Sequence, residues 1–183
     1  MKRKTIINTS LSAMFLAIGL LLPFLTGQIP EIGSALLPMH IPVLLCGLIC
    51  GPWWGGVVGL VMPYLRLMLF GMPPAIIALQ MTFELCAYGL VIGLIYSKLP
   101  KKPLSVFISL ISAMLVGRLV WGLASMFVMG LNGTGTFTFA MFMSGAFIGA
   151  APGIIVQLVL IPTIVIVLEK AKVIHTSANN NWN

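Results

Sequence analysis

The chain has 183 residues, of which 60% are hydrophobic and 7% charged, and it carries a net charge of +7. A soluble domain is about 25% charged, so a water-soluble globule is excluded, and the length suits one small bundle of membrane helices with roughly 20 apolar residues each. The basic residues stand at the ends of apolar runs, where they set topology by holding loops in the cytoplasm; this reading leaves no role for nucleic acid.

The first span covers about Thr5 to Leu25. It follows Lys2-Arg3-Lys4 and imitates a signal peptide, but it runs to Pro23 without a small-residue cleavage site and therefore reads as a retained helix. The segment Thr26 to Met39 has loop chemistry (Gln28, Pro30, Glu31, Gly33, Pro38), with Leu36 and Leu37 placing it against the membrane. A short second span, His40 to Cys50, ends at Gly51-Pro52. At 10–14 residues such runs are ambiguous, so it is either oblique or covered by protein.

The third span, Trp53 to Phe70, stops at Gly71-Met72-Pro73-Pro74. The fourth is Ala75 to Tyr96 and leads to Lys98, Lys101 and Lys102. The fifth is Leu104 to Met129, followed by a flexible loop from Gly130 to Gly135. The sixth, Phe137 to Leu168, is long enough to be tilted or broken, with Pro152 and Pro162 favouring a break. The expected architecture is an all-α membrane protein, a compact bundle of six transmembrane helices spanning residues 1–172 as one domain, with a polar tail at 173–183. Six spans place Lys2, Arg3, Lys4, Lys98, Lys101, Lys102, Lys170 and Lys172 on one side and Glu31 on the other, which makes both termini cytoplasmic. No inverted repeat is visible of the kind that builds larger secondary transporters.

Three charged residues lie inside spans: Arg66, Glu84 and Arg118. A central charge costs about 2.5–3.5 kcal/mol on insertion scales, so each calls for a partner or a function. From the rise of an α-helix, Arg66 and Glu84 lie about 7 and 12 Å below the outer ends of their helices, and Arg118 about 18 Å below, near mid-membrane. Gln80, Glu84 and Tyr88 share one helix face; Arg118, Trp121 and Ser125 share another. Together they supply donors, acceptors and aromatic planes opening outward, as a polar small molecule requires. The competing structural reading has Glu84 pair with an arginine to lock the bundle while Arg66 snorkels to the surface. Two arginines against one glutamate favour a ligand with a carboxylate or another acceptor-rich group.

Small residues four apart recur: Ala13/Ala17, Gly47/Gly51, Gly55/Gly59, Gly89/Gly93 and Gly145/Gly149. Most suit internal helix contacts, whereas Ala13/Ala17, in the cytoplasmic half of the first span, offers a small patch to a partner helix. The three cysteines, Cys46, Cys50 and Cys86, match no zinc or redox spacing and read as packing residues. His40 sits at a span edge and reads as an interfacial hydrogen-bonding group. No nucleotide loop, catalytic triad or metal cluster is visible, so neither an enzyme nor a cofactor is expected.

Four stretches, taken in order, resemble the substrate-binding S components of energy-coupling factor (ECF) vitamin transporters of Gram-positive bacteria. They are Leu37-Pro-Met-His-Ile-Pro-Val-Leu-Leu-Cys-Gly-Leu-Ile-Cys-Gly-Pro52; Arg66 with Phe70-Gly-Met-Pro-Pro74; Gly117-Arg-Leu-Val-Trp-Gly122; and Gly145-Ala-Phe-Ile-Gly-Ala-Ala-Pro-Gly-Ile154. The resemblance implies six helices, a vitamin site near the outer face lidded by the first, third and fifth loops, and docking through a small-residue pattern that Ala13/Ala17 matches. It implies a membrane-embedded coupling protein (T component) and two cytosolic ATPases as partners, with ATP hydrolysed only by those partners and the S component toppling in the lipid bilayer to deliver its ligand. The likeness is to the branch with pantothenate, pyridoxine and hydroxymethylpyrimidine binders, and the spare positive charge favours pantothenate. The alternatives are a non-transporting membrane scaffold, whose charges only lock helices, and an intramembrane lipid-modifying enzyme, which would need an acidic or histidine cluster that the sequence lacks.

Overall fold

The computed structural model describes residues 2–25, 35–100, 102–132 and 137–170. The segment around Glu31, Lys101, the glycine-rich stretch at 133–136 and everything after Lys170, including the expected tail, lie outside those residues. Among the described residues there is no strand. The helices are α1 (Lys2–Leu25), α2 (His40–Cys50), α3 (Pro52–Phe70), α4 (Ala75–Lys98), α5 (Pro103–Asn132), α6 (Phe139–Met143) with a π-helical turn at Ser144–Ile148, and α7 (Ala151–Lys170).

Five of these, α1, α3, α4, α5 and α7, are long and apolar enough to cross a membrane. Their surfaces invert the soluble pattern. Met68 is 81% exposed and Trp53 77% exposed, whereas Glu84, Arg118 and Gln157 are buried. Apolar side chains facing outward and polar ones facing inward identify an all-α protein built for a hydrocarbon solvent.

The organising element is α2. Its sequence, HIPVLLCGLIC, is apolar on every side apart from His40, and all of its residues are buried. A helix that is hydrophobic all round belongs in a core. It packs on α1, α3, α4 and α7. At about 16 Å it is too short to cross a 30 Å core unaided; protein covers it, which resolves the choice the sequence left open. The Asn8 side-chain amide of α1 donates to the Cys50 carbonyl at 3.2 Å, satisfying one of the carbonyls at its C-terminal end. Gly51, at φ 103°, then turns the chain into Pro52, the first residue of α3.

Glycines bring α2, α3 and α4 into backbone contact. A Cβ on Gly55 would stand 2.6 Å from the Gly47 Cα and 2.8 Å from the Gly89 carbonyl oxygen. A Cβ on Gly93 would stand 2.6 Å from the Pro52 Cα. The small-residue pairs therefore work inside the bundle, where close approach adds dispersion contact that lipid cannot supply.

Two sequence boundaries are corrected. The fifth helix continues through Gly130 to Asn132, because the apolar run carries it past the expected stop. The last span does break, but between Ile148 and Ala151: the π-helical turn ends with the Gly149 amide donating to Ser144 O at 2.8 Å. Pro152 then falls in the first turn of α7, where its missing N–H costs nothing, and Pro162 lies inside an uninterrupted α7.

Replacing Gly55 with leucine would force backbone apart on two sides. The expected result is a thermal midpoint lowered by roughly 2–12 °C in detergent. Gly130→Leu, whose added Cβ meets no neighbouring element within 4 Å among the described residues, should leave the midpoint nearly unchanged. Equal effects of the two would contradict the packing.

Candidate functional site

Two helix faces carry the polar groups. On α4, Gln80, Glu84 and Tyr88 are all buried; on α5, Arg118 and Ser125 are buried and Trp121 is half-buried. The i, i+4 and i, i+3 spacings therefore do place these side chains inward, as periodicity requires. The structure brings the two faces together through a charge pair: Arg118 Nη1 stands 3.0 Å from Glu84 Oε1.

A third helix contributes a residue that sequence reasoning placed elsewhere. His40, at the first turn of α2, is 1% exposed rather than interfacial, and its Nε2 lies 3.4 Å from the same Glu84 oxygen. Its ring meets Tyr88 edge-on, with centroids 5.2 Å apart at 71°. A usable signal was present in the sequence: His40 is the only ionisable side chain on a short helix that is otherwise apolar all round, apart from its two thiols.

Gly117 makes the closure possible. A Cβ there would come within 2.8 Å of the Tyr88 ring, so the residue preceding Arg118 has to be small. Trp121, one turn on, packs between Phe137 at 5.9 Å and Phe142 at 6.4 Å. Gly145 passes beneath it, with a Cβ there falling 2.6 Å from the indole. Trp121 thereby ties α5 to the α6 and π-helical segment beside the charge pair.

The cluster is incompletely satisfied. Neither contact to Glu84 is aligned as a hydrogen bond, and His40 Nδ1 and Nε2, Glu84 Oε1, Arg118 Nε and Nη2, and Ser125 Oγ have no hydrogen-bond partner among the described residues. Each buried orphan of this kind costs about 1–3 kcal/mol. A pair meant only to lock helices would be expected to use these groups on each other. Among the described residues there is no group of three metal-ligating side chains.

Arg66 takes a different path from the other two spanning charges. It is buried, its Nη1 donates to the Leu20 carbonyl of α1 at 2.8 Å, and its guanidinium lies over Phe24 at 5.5 Å and Phe70 at 5.6 Å. It fastens the C-terminal turn of α1 to that of α3 and does not reach the Glu84–Arg118 pair by any ion pair or hydrogen bond among the described residues. The three charges therefore form one pair with His40 and one separate clamp. Ala13 and Ala17, the other residues singled out, are exposed on α1.

Glu84→Gln leaves the Arg118 charge buried without its counter-ion, and about 3–5 kcal/mol of stability should be lost. The double variant Glu84→Gln/Arg118→Met removes both charges and should recover most of it. Thermal unfolding of the three proteins in one detergent checks this; additive losses in the double variant would refute the pairing.

Comparison with known proteins places the chain in a family. A family model described as ECF transporter, substrate-specific component, matches residues 10–165, which run from within α1 to within α7 and include every residue of the cluster. No curated protein and no solved structure matches the chain. An inverted surface, a bundle closed around a buried polar cluster and this match over most of the length agree, and the chain belongs to the substrate-specific components of ECF transporters.

Proposed function

We propose that this membrane protein captures a water-soluble vitamin or vitamin precursor at the outer face and passes it inward as the binding subunit of an ECF-type importer in a bacterial plasma membrane. The observation that carries the reading is the buried Arg118–Glu84–His40 cluster, whose remaining donors and acceptors have no hydrogen-bond partner among the described residues. In this reading Gln80, Tyr88, Trp121 and Ser125 complete the walls. Arg66 lies apart and lends the cluster no spare charge, so pantothenate is favoured among the ligands for the carboxylate it offers Arg118, with pyridoxine and hydroxymethylpyrimidine the other members of the set. Arg66 serves the site indirectly, by holding α1 in place.

The topology that goes with this function is six crossings, with α2 completing its passage inside the protein and both termini in the cytoplasm. The lysine-rich ends and the 98–102 loop support that orientation. The energy comes from two cytosolic ATPases acting through a membrane-embedded coupling protein. Ala13 and Ala17 are the proposed docking patch. They lie on α1, of whose membrane-length segment 17% is buried against 28–44% for the other four candidate spans, so this helix has the most surface to offer a partner.

Purified protein should bind one vitamin from a panel of B vitamins and precursors, without ATP, and titration calorimetry or mass spectrometry of the co-purified ligand checks it. A protein that folds and binds none would favour the scaffold reading. Separately, Ala13→Leu/Ala17→Leu should abolish co-purification of the coupling protein and cellular uptake while changing vitamin affinity less than about threefold. Equal loss of affinity would place these alanines in the site rather than at an interface.

A further inference from the structure

The Arg118 guanidinium engages Glu84 through Nη1 alone. Its Nε and Nη2, which lie along one edge of the planar group, are both fully buried and have no partner among the described residues. Two parallel N–H groups on one edge form the fork that receives both oxygens of a carboxylate. A lysine at this place would offer a point charge and no such fork.

Charge sharing within the cluster leaves that edge available to an anion. Glu84 Oε1 faces two partners, Arg118 at 3.0 Å and His40 at 3.4 Å, so its charge is not committed to Arg118 alone. Arg118 and Glu84 together are formally neutral. A carboxylate on the free edge shares the guanidinium with Glu84 and leaves one net negative charge for neutral donors to solvate, whereas a dianionic phosphate would leave two. Ser125 Oγ, also buried and unpartnered, lies on the same face of α5, two turns or about 10 Å along the helix from Arg118. It is placed to meet a second polar group of the same molecule.

Resting on the vitamin-binding reading above, we propose that the ligand is an extended monoanion whose carboxylate docks side-on against the Nε/Nη2 edge of Arg118 and whose distal hydroxyl or amide reaches Ser125. Arg118 is then the residue that sets selectivity for acids over their uncharged analogues. Glu84 holds the guanidinium in position, and His40 braces Glu84.

The test uses matched pairs that differ at the carboxylate: pantothenate with panthenol, and nicotinate with nicotinamide. Pyridoxine and hydroxymethylpyrimidine serve as uncharged vitamins, and all are titrated into the full-length protein in detergent. The wild type should bind an acid from this panel and bind its uncharged analogue roughly 30- to 100-fold more weakly, the worth of a charge-assisted contact. Arg118→Lys should narrow that ratio to less than about threefold, whereas a purely structural role would weaken acid and analogue alike and leave the ratio unchanged. Ser125→Ala should weaken acid and analogue equally. Panthenol binding as tightly as pantothenate, or tight binding only of pyridoxine or hydroxymethylpyrimidine, overturns the carboxylate assignment and leaves the vitamin-binding reading standing. Binding of no vitamin overturns both. The comparison in the wild type requires no variant, so misfolding of Arg118→Lys would not remove the test.

Discussion

A glutamate and an arginine held in contact inside an apolar bundle constrain everything around them. In hydrocarbon neither charge is tolerated alone, and a pair survives only if protein encloses it. Glu84 and Arg118 come from the middle of α4 and α5, so the two helices have to face each other along those surfaces, with Tyr88 and Gly117 interlocked beside the pair. The short α2 fills the space next to them and lends His40. The glycine contacts among α2, α3 and α4 follow from the same need, because only small residues let three helices close tightly enough to exclude lipid from a polar centre.

Much of this was legible in the sequence because hydropathy and helical periodicity are local properties. Apolar length announced the membrane spans, and spacing put Gln80, Glu84 and Tyr88 on one face and Arg118 and Ser125 on another. Spacing carries no information about which helix lies opposite, however. It therefore could not tell that Arg66, on α3, would turn to α1 while Arg118 met Glu84. Nor could it place His40, whose position at the start of an apolar run suits an interface as well as a core; the difference lies in the packing of other helices around α2. The end of the last span was obscured for a related reason. Prolines signalled a break, but an N-terminal proline and an interior proline look alike until the helix start is known, and Pro152 proved to be the former.

Arg66 is a charge in a span that has no counter-ion among the described residues. It donates to a backbone carbonyl and lies over two aromatic rings, which themselves meet edge-on at 4.9 Å. Arginine suits this because its guanidinium is weakly hydrated and planar. The clamp fixes one end of α1, the least buried of the five candidate spans. Near the other end, Asn8 and Ser12 face α2, with Ser12 Oγ 3.5 Å from Cys46 Sγ. Phe15 turns inward while Ala13 and Ala17 remain exposed. One face of α1 is thus committed to the bundle by a few specific contacts, and the other exposes Met14, Ile18 and Leu21 beside the two alanines.

The broken last span and the short second helix are two sides of one arrangement. Leu37, with φ 51°, is a strained residue for a side chain of its size. Its carbonyl accepts from the His40 amide at 3.1 Å and from the Gln157 side-chain amide of α7 at 3.5 Å. Gly153, in the first turns of α7, has no room for a Cβ because the Ala35–Leu36 backbone lies against it. The chain entering α2 therefore rests on the start of α7, and that contact sets where α2 begins and hence where His40 is held.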